Sequence, residues 1–294
     1  MSIATLVHDT IKNVPDCNSI VFQKYIKQEG GLRLENIYKQ SLPEQPLISV
    51  ITVVFNGDKT LENTIKSVMS QNYRNIEHII IDGGSNDTTV DILKQYNHAI
   101  DYWISEKDAG IYDAMNKGIA RATGDIVGFL NADDTYNTVD VVEKIVETFI
   151  SKQYEAVFAD LIYVKKNDLN HVVRKYSSKH FSPDRLIYGW MPAHPTLYLR
   201  REIFEKYGLF KKDYQIAGDY ELVARLFYKY KISYKYLPIE MVKMNIGGIS
   251  TRGWYNSILL NKEVLRACRE NGIKTNLFKI CSKYPKKICE FIFK

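Results

Sequence analysis

The sequence predicts an α/β fold in which a mostly parallel sheet is flanked by helices, and three features of residues 47–134 predict it. Almost wholly apolar runs rich in β-branched residues fall at 47–55, 76–81, 100–104 and 125–130, as in strands buried on both faces of a parallel sheet. Segments of helical spacing separate these runs, the alternation expected of βαβ units. Three of the four runs stop at residues equipped for chemistry: Asn56 after the first, Asp82 after the second, and Asn131, Asp133 and Asp134 after the fourth. Ligands of open α/β sheets sit outside the carboxyl ends of the strands. These residues are therefore expected to line a crevice.

Taken in order, residues 1–45 show weak periodicity, punctuated by Gly30-Gly31 and Pro43, and read as an N-terminal extension. The first strand ends at Asn56-Gly57, and Leu61, Ile65, Val68 and Met69 then mark a helix over 59–71. The second strand runs into Asp82-Gly83-Gly84-Ser85, where Ser85, Asn86 and Asp87 are N-cap types for a helix reaching residue 96. After the third strand a helix spans 110–122, closed by Gly124 ahead of the fourth strand.

Beyond Asp134 the alternation weakens. A helix is expected at 139–150, an extended segment at 156–164, and a polar hairpin or loop at 165–183. Trp190-Met191-Pro192-Ala193-His194-Pro195-Thr196 leads to a short strand ending at Leu199. A helix opens near Gly218-Asp219 and reaches residue 230, followed by a strand at 232–236, a loop around Gly247-Gly248 and a helix at 254–270.

Composition narrows the function. The 294 residues are 45% hydrophobic and 25% charged, the make-up of a globular chain. Of the net charge of +6, residues 274–294 supply six lysines against Glu290 alone, so the remainder is nearly neutral. That distribution argues against a nucleic-acid groove on the main body. Cys17, Cys268, Cys281 and Cys289 have neither C-x-x-C nor zinc-site spacing, and fit a reducing cytosol. Residues 1–13 lack the pattern of a signal peptide, and no apolar run approaches the roughly 18 residues of a membrane span.

Asp133 and Asp134 present hard oxygen ligands suited to Mg2+ or Mn2+, ions that usually arrive with phosphates. Asp133 equally suits the cap of a following helix, and Asp134 a solvated turn. The dinucleotide fingerprint is absent, since Phe55-Asn56-Gly57-Asp58 is no G-x-G-x-x-G, and no P-loop lysine motif occurs.

Three motifs in this order, Ile81-Asp82-Gly83-Gly84-Ser85-Asn86-Asp87, Asp108-Ala109-Gly110-Ile111-Tyr112-Asp113-Ala114-Met115-Asn116-Lys117-Gly118 and Leu130-Asn131-Ala132-Asp133-Asp134, resemble family 2 glycosyltransferases. The likeness extends through Gly218-Asp219-Tyr220-Glu221 to Gly247-Gly248-Ile249-Ser250, and looks nearest to the bacterial branch that builds colanic acid, O-antigen and capsule. It implies a GT-A fold and inverting transfer from a nucleotide diphosphate sugar, UDP by default with GDP or TDP as alternatives. The acceptor implied is a polysaccharide or lipid-linked oligosaccharide.

The resemblance also implies roles. Asn131, Asp133 and Asp134 stand at the family's D-x-D-like site, with Asp134 the main metal ligand, Asp133 shared between metal and donor, and Mn2+ or Mg2+ as cofactor. Asp82 corresponds to the position that contacts the nucleobase, which backbone at Val54 and Asn56 would frame. Asp-Gly is also a strong turn signal. Asp108, Tyr112, Asn116 and Lys117 would border the donor sugar or diphosphate, although Asp113 and Lys117 equally suit a surface i,i+4 pair. Asp219 matches the general base, with Gly218 where many relatives carry Glu, and an N-cap is its structural alternative. His194 falls near the acceptor side.

The resulting division is an extension at 1–45, a GT-A domain at 46–251, and a basic helical segment at 252–294 that docks on an anionic membrane surface or packs on the core. This reading puts the protein in the cytoplasm, peripheral to the inner face of the cytoplasmic membrane. Another nucleotide-sugar enzyme such as a nucleotidyltransferase, or an inactive binding module of the same fold, is the competing expectation.

Overall fold

The computed structural model describes residues 27–165, 168–246 and 253–282. In chain order these form β1 (Gln28–Gly30), β2 (Ile48–Val54), α1 (Leu61–Met69), β3 (Ile76–Asp82), α2 (Thr89–Gln95), β4 (Tyr102–Ser105) and α3 (Ile111–Arg121). Then follow β5 (Ile126–Phe129), β6 (Asp134–Tyr136), α4 (Val141–Ser151), β7 (Ala156–Lys165), β8 (Asp168–Tyr176), β9 (Tyr198–Arg200) and α5 (Arg201–Tyr207). The chain closes with α6 (Gly218–Val223), β10 (Tyr234–Asn245), α7 (Gly253–Glu270) and α8 (Leu277–Cys281). Gly247 and Gly248, the C-terminal residues from Lys283 onward, Cys17 and Cys289 lie outside the described residues.

One sheet runs in the order β1-β4-β3-β2-β5-β9-β7-β10-β6, with β8 paired to β7. Strands β4, β3, β2 and β5 are mutually parallel, so their carboxyl ends share one edge. All seven residues of β2 and of β3 are buried, because helices cover both faces. Ile51, Val53, Ile79 and Ile81 share a core with Tyr112, Met115 and Ile119 of α3. Val54 and Ile80 share another with Leu61, Ile65 and Leu93 of α1 and α2. Burying each such aliphatic side chain contributes about 1.5–3 kcal/mol.

Beyond β5 the sheet turns antiparallel at β9. The expected hairpin is present as β7–β8. Three features depart from expectation. The strand expected at 232–236 continues as β10 to Asn245, with register shifts between Tyr236 and Val242 that absorb Pro238. Asp133-Asp134 leads into strand β6, antiparallel to β10, rather than a helix cap. Helix α5 follows β9 directly.

Residues 28–39 are bonded to the outer edge of the sheet along β4 and then to its amino end. β1 pairs with β4, Arg33 forms an ion pair with buried Glu77, and Lys39 Nζ lies 2.9 Å from Asp101.

Candidate functional site

At the carboxyl edge of the parallel strands, the loops after β2 and β3 are bonded together. Asn56, at φ 53°, donates its N–H to Ser85 Oγ at 2.7 Å and accepts from the Asn86 N–H at 3.0 Å. The Gly57 N–H donates to Thr89 Oγ1, and the Val54 carbonyl accepts from the Gly83 N–H. Asp82 is fully buried. Its Oδ2 accepts from the Ser85 N–H (3.0 Å) and Ser105 Oγ (2.6 Å), and its Oδ1 from Ser85 Oγ. Three of the carboxylate's roughly four acceptor positions are thus filled from within. These bonds are those of the turn expected as the alternative role for Asp82. Asp108 lies directly above, with Oδ2 2.5 Å from where a Gly83 Cβ would stand. Burial raises the Asp108 carboxyl.

Of the α3 residues expected at the donor, Tyr112 and Asn116 reach toward the second half of the chain. Asn116 clamps the Phe210 backbone, donating to its carbonyl at 2.9 Å and accepting from its N–H at 3.0 Å. Lys117 lies 2.9 Å from Glu106 and 3.8 Å from Asp113, the expected i,i+4 pair, and Asp113 also pairs with Lys212 at 3.2 Å. Tyr112 is 5% exposed and spends its hydroxyl on the turn before Asp219. It donates to the Ile216 carbonyl at 2.7 Å and accepts from the Gly218 N–H at 2.8 Å.

After β5 the two adjacent carboxylates diverge. Asp133 is exposed, whereas Asp134 is fully buried. The Asn131 amide donates to Asp134 Oδ2 at 3.3 Å, and Thr64 Oγ1 of α1 to the Asp134 carbonyl at 2.8 Å. Asn245, at the end of β10, donates to the Asp133 carbonyl at 2.7 Å. Three oxygens of this group, Asn131 Oδ1, Asp134 Oδ1 and Asn245 Oδ1, are buried without a hydrogen-bond partner. Desolvation, with Asp133 adding repulsion, raises the Asp134 carboxyl well above the ordinary range. Among the described residues no three His, Cys, Asp or Glu side chains gather into a metal cluster. Two carboxylates with amide oxygens nonetheless fit Mg2+ or Mn2+, which usually take a few protein oxygens and complete their shell with water and phosphate.

Asp219 sits at the start of α6, half-buried. Burial raises its carboxyl, opposed by His194 and by the Tyr220 N–H, which donates to Asp219 Oδ1 at 2.7 Å. His194 feels the same pair reversed, since burial lowers its imidazole while Asp219 raises it. The His194 ring stacks on Phe129 at the end of β5, centroids 6.0 Å apart. His194 therefore links Asp219 to the strand that carries the Asn131–Asp134 group. A cleft of about 400 Å3 lined by Gln153, Glu155, Arg200, Glu202 and Ser233 lies at the amino end of β5, on the opposite edge.

Sequence reasoning missed Asn245 and Glu263. Asn245 carried a faint signal, two residues ahead of Gly247-Gly248. Glu263 carried none, being one acidic residue within a helix.

The Glycosyl transferase family 2 profile matches residues 49–208. An uncharacterised glycosyltransferase of Mycobacterium tuberculosis (strain ATCC 25618 / H37Rv) is 37% identical over 182 residues, covering 61% of this chain and 68% of that protein. S. aureus TarS 1–349, solved with UDP-GlcNAc, has a TM-score of 0.61 at 15% identity, covering 78% of this chain and 68% of that one. Against a longer TarS chain the match spans 40% of that protein's length. The mannosyltransferase PcManGT of Pyrobaculum calidifontis, solved with GDP-Man and Mn2+, has a TM-score of 0.58 at 18% identity, covering 84% and 72%. The strand order, the Asp82 and Asp134 strand ends and these matches agree: the chain belongs to glycosyl transferase family 2 and has its GT-A fold.

Proposed function

We propose that this glycosyltransferase transfers a sugar, with inversion, from a nucleotide diphosphate sugar to a glycan or lipid-linked oligosaccharide. The observation that carries the reading is the pairing of two desolvated carboxylates around one strand end, Asp134 among orphaned oxygens and Asp219 beside His194. A UDP-sugar is favoured as donor. Neighbours of the same fold were solved with UDP-GlcNAc and with GDP-Man and Mn2+, which supports a nucleotide sugar and leaves the base to experiment.

In this mechanism the acceptor hydroxyl loses its proton to an Asp219 oxygen as its own oxygen attacks the anomeric carbon. The attack comes from the face opposite the leaving group. The anomeric C–O bond breaks, and its electron pair departs with the nucleoside diphosphate. An Asp carboxyl raised by burial is a better proton acceptor than an ordinary one. His194 and the Tyr220 N–H favour the charged form of Asp219 against that burial. Asp134 and Asp133, with the amide oxygens of Asn131 and Asn245, would hold Mn2+ or Mg2+, which neutralises charge developing on the diphosphate. Asp82, Val54 and Asn56 frame the base, and Asp108 borders the donor above Gly83.

Calorimetric titration with UDP, GDP and TDP, with and without Mn2+, tests the donor site on wild type and Asp134→Ala. Metal-dependent binding of one nucleotide, lost in the variant, is the expected result. Failure of folded wild type to bind any of the three would overturn the reading. Asp219→Asn should lower turnover about 10²–10⁴-fold with nucleotide binding retained. Near-normal turnover would remove Asp219 as base.

A further inference from the structure

The segment leading into Asp219 is held along its length by one face of α7. Glu263, 7% exposed, accepts three successive backbone N–H groups. Its Oε1 takes that of Gln215 at 2.8 Å, and its Oε2 those of Ile216 at 2.9 Å and Ala217 at 2.8 Å. Three consecutive amides aimed at one anion form a nest, here occupied by the protein's own carboxylate. One turn on, Arg266 stacks over Tyr214 at 4.3 Å and pairs with Asp213. A turn further, Glu270 accepts from Tyr214 Oη at 3.0 Å and lies 2.7 Å from Lys211 Nζ. From the other side Tyr112 bonds the Ile216 carbonyl and the Gly218 N–H. Both polar groups of the Ile216 backbone are thereby fixed, two residues before Gly218 and three before Asp219.

We propose that Glu263 is a positioning residue for the transfer reaction: through the amides of Gln215, Ile216 and Ala217 it fixes the turn that aims the Asp219 carboxylate. The inference rests on Asp219 serving as the base. It extends the catalytic machinery to α7, which lies beyond the matched family segment ending at residue 208. A salt bridge or an apolar contact would serve folding equally well. Three amides converging on one carboxylate serve geometry, because they fix the orientation of three successive peptide planes. Such a carboxylate is costly to replace, since its loss leaves three backbone donors unpaired, that of Ala217 buried.

The groups that face Asp219 are His194 from the turn at 194–196, Tyr112 from α3, and the N–H of Tyr220 on its own helix. Glu263 stands behind the turn, its charge taken up by the amides. Arg266, Glu270, Lys211 and Asp213 lie further along the same segment. Loosening the turn admits water to Asp219 and lets its carboxyl fall toward the ordinary range. The acid limb of the kcat profile then moves to lower pH.

The test uses the full chain with Glu263→Gln, Glu263→Asp and, as a reference, Asp219→Asn. In Glu263→Gln one oxygen still accepts, while the new NH2 faces an N–H donor. Expected are a kcat about ten- to a hundredfold lower, a donor Kd within about twofold of wild type, and an acid limb shifted to lower pH. Faster amide exchange confined to residues 215–218 should accompany them. Glu263→Asp, shorter but charged, should give an intermediate kcat.

Wild-type kcat with an unmoved acid limb in Glu263→Gln would overturn the proposal, as would a loss of donor affinity equal to the loss of kcat. Should Glu263→Gln fail to fold, Tyr112→Phe loosens the same turn without touching α7, and the same split between kcat and donor Kd is required of it. If Asp219→Asn keeps its turnover, the base assignment falls. The exchange of residues 215–218 then still reports by itself whether Glu263 holds the turn.

Discussion

The ring of Tyr112 occupies the space that any side chain at Gly218 would need, since a Cβ there would lie 2.7 Å from the ring. This accounts for Gly-Asp at a place where the family resemblance leads one to expect Glu-Asp: α3 has delivered a tyrosine into the volume beside the turn. Gly218→Ala should therefore push the ring and its two hydrogen bonds off the turn. Overpacking of this kind costs about 1–3 kcal/mol, read by urea denaturation, and turnover should fall with it. Tyr112→Leu in the same chain relieves the clash. The double variant should lose less stability than the two single losses added together, a coupling expected of residues in contact. Additive losses would show that the ring yields freely.

The oxygens around Asp134 make a second prediction. Its carboxyl is held well above the ordinary range, chiefly by burial and then by Asp133, and a protonated acid does not ligate a hard cation. Metal binding should thus release a proton and weaken as pH falls. Mn2+-dependent nucleotide affinity, measured from pH 8 down to pH 5.5, should decline in wild type. Asp134→Asn should bind weakly at every pH, with a flat profile. Asn245→Ala, which removes a buried oxygen and a hydrogen bond to the Asp133 carbonyl, should cost about ten- to a hundredfold in Mn2+ affinity. An Asn245→Ala protein with wild-type metal dependence would exclude Asn245 from the site.

What sequence could announce here was local. β2, β3 and β5 are near-continuous apolar runs, because the helices on both faces demand it, and their polar ends stand out by contrast. β6 could not be read: its three residues are a strand only because Val242, Lys243 and Met244 of β10 pair with them, more than a hundred residues away. The strand expected at 232–236 stops short of Pro238, which the structure places within β10 where the register with β7 shifts. Tyr112 and Asn116 sit in a motif whose likeness pointed to the donor, yet their partners are the backbones of Ile216, Gly218 and Phe210. Glu263 bonds to residues almost fifty positions back, and nothing around it in sequence distinguishes it from a solvated helix glutamate.

His78 predicts how stability responds to acid. It is buried in β3, with Nε2 2.9 Å from Thr52 Oγ1 and Nδ1 without a hydrogen-bond partner. Burial, with Lys39 adding repulsion, lowers its imidazole from 6.5 to about 3. Lys39 is itself paired with Asp101, whose carboxylate accepts the His78 backbone N–H, and Glu77 adjoins in sequence. Above pH 6.5 the ring is neutral whether the chain is folded or not. Below it the unfolded chain takes up a proton that the folded chain refuses, so stability falls with pH, by at most about 1.4 kcal/mol per unit, down to the folded value. Asp134 and Asp219, whose carboxyls are raised, act in the opposite sense, which makes the wild-type slope alone uninformative. The comparison with His78→Gln isolates the ring. Between pH 6.5 and 5 wild type should lose about 2 kcal/mol more than the variant, and parallel slopes would mean that the buried ring takes up its proton freely.

The last prediction concerns the C-terminal segment. No described helix is long and apolar enough to cross a membrane. On α8, however, Phe278 is 86% exposed and Leu277 47%, while Ile280 is fully buried against the core. Residues 283–294 follow, with Lys283, Lys286, Lys287 and Lys294 against Glu290. Exposed apolar side chains next to a basic run suit an anionic lipid surface, where each lysine near the headgroups contributes about 1 kcal/mol. A lipid-linked acceptor would be met at such a surface. Truncation after Ser282 keeps Ile280 in place and so removes the basic run without opening the core. That truncation, and Phe278→Ser in the full chain, should each reduce cosedimentation with phosphatidylglycerol vesicles. Binding by wild type should weaken as salt rises. If the truncated chain still binds vesicles as well as the whole one, the segment has no part in membrane docking and the acceptor must be reached by another face.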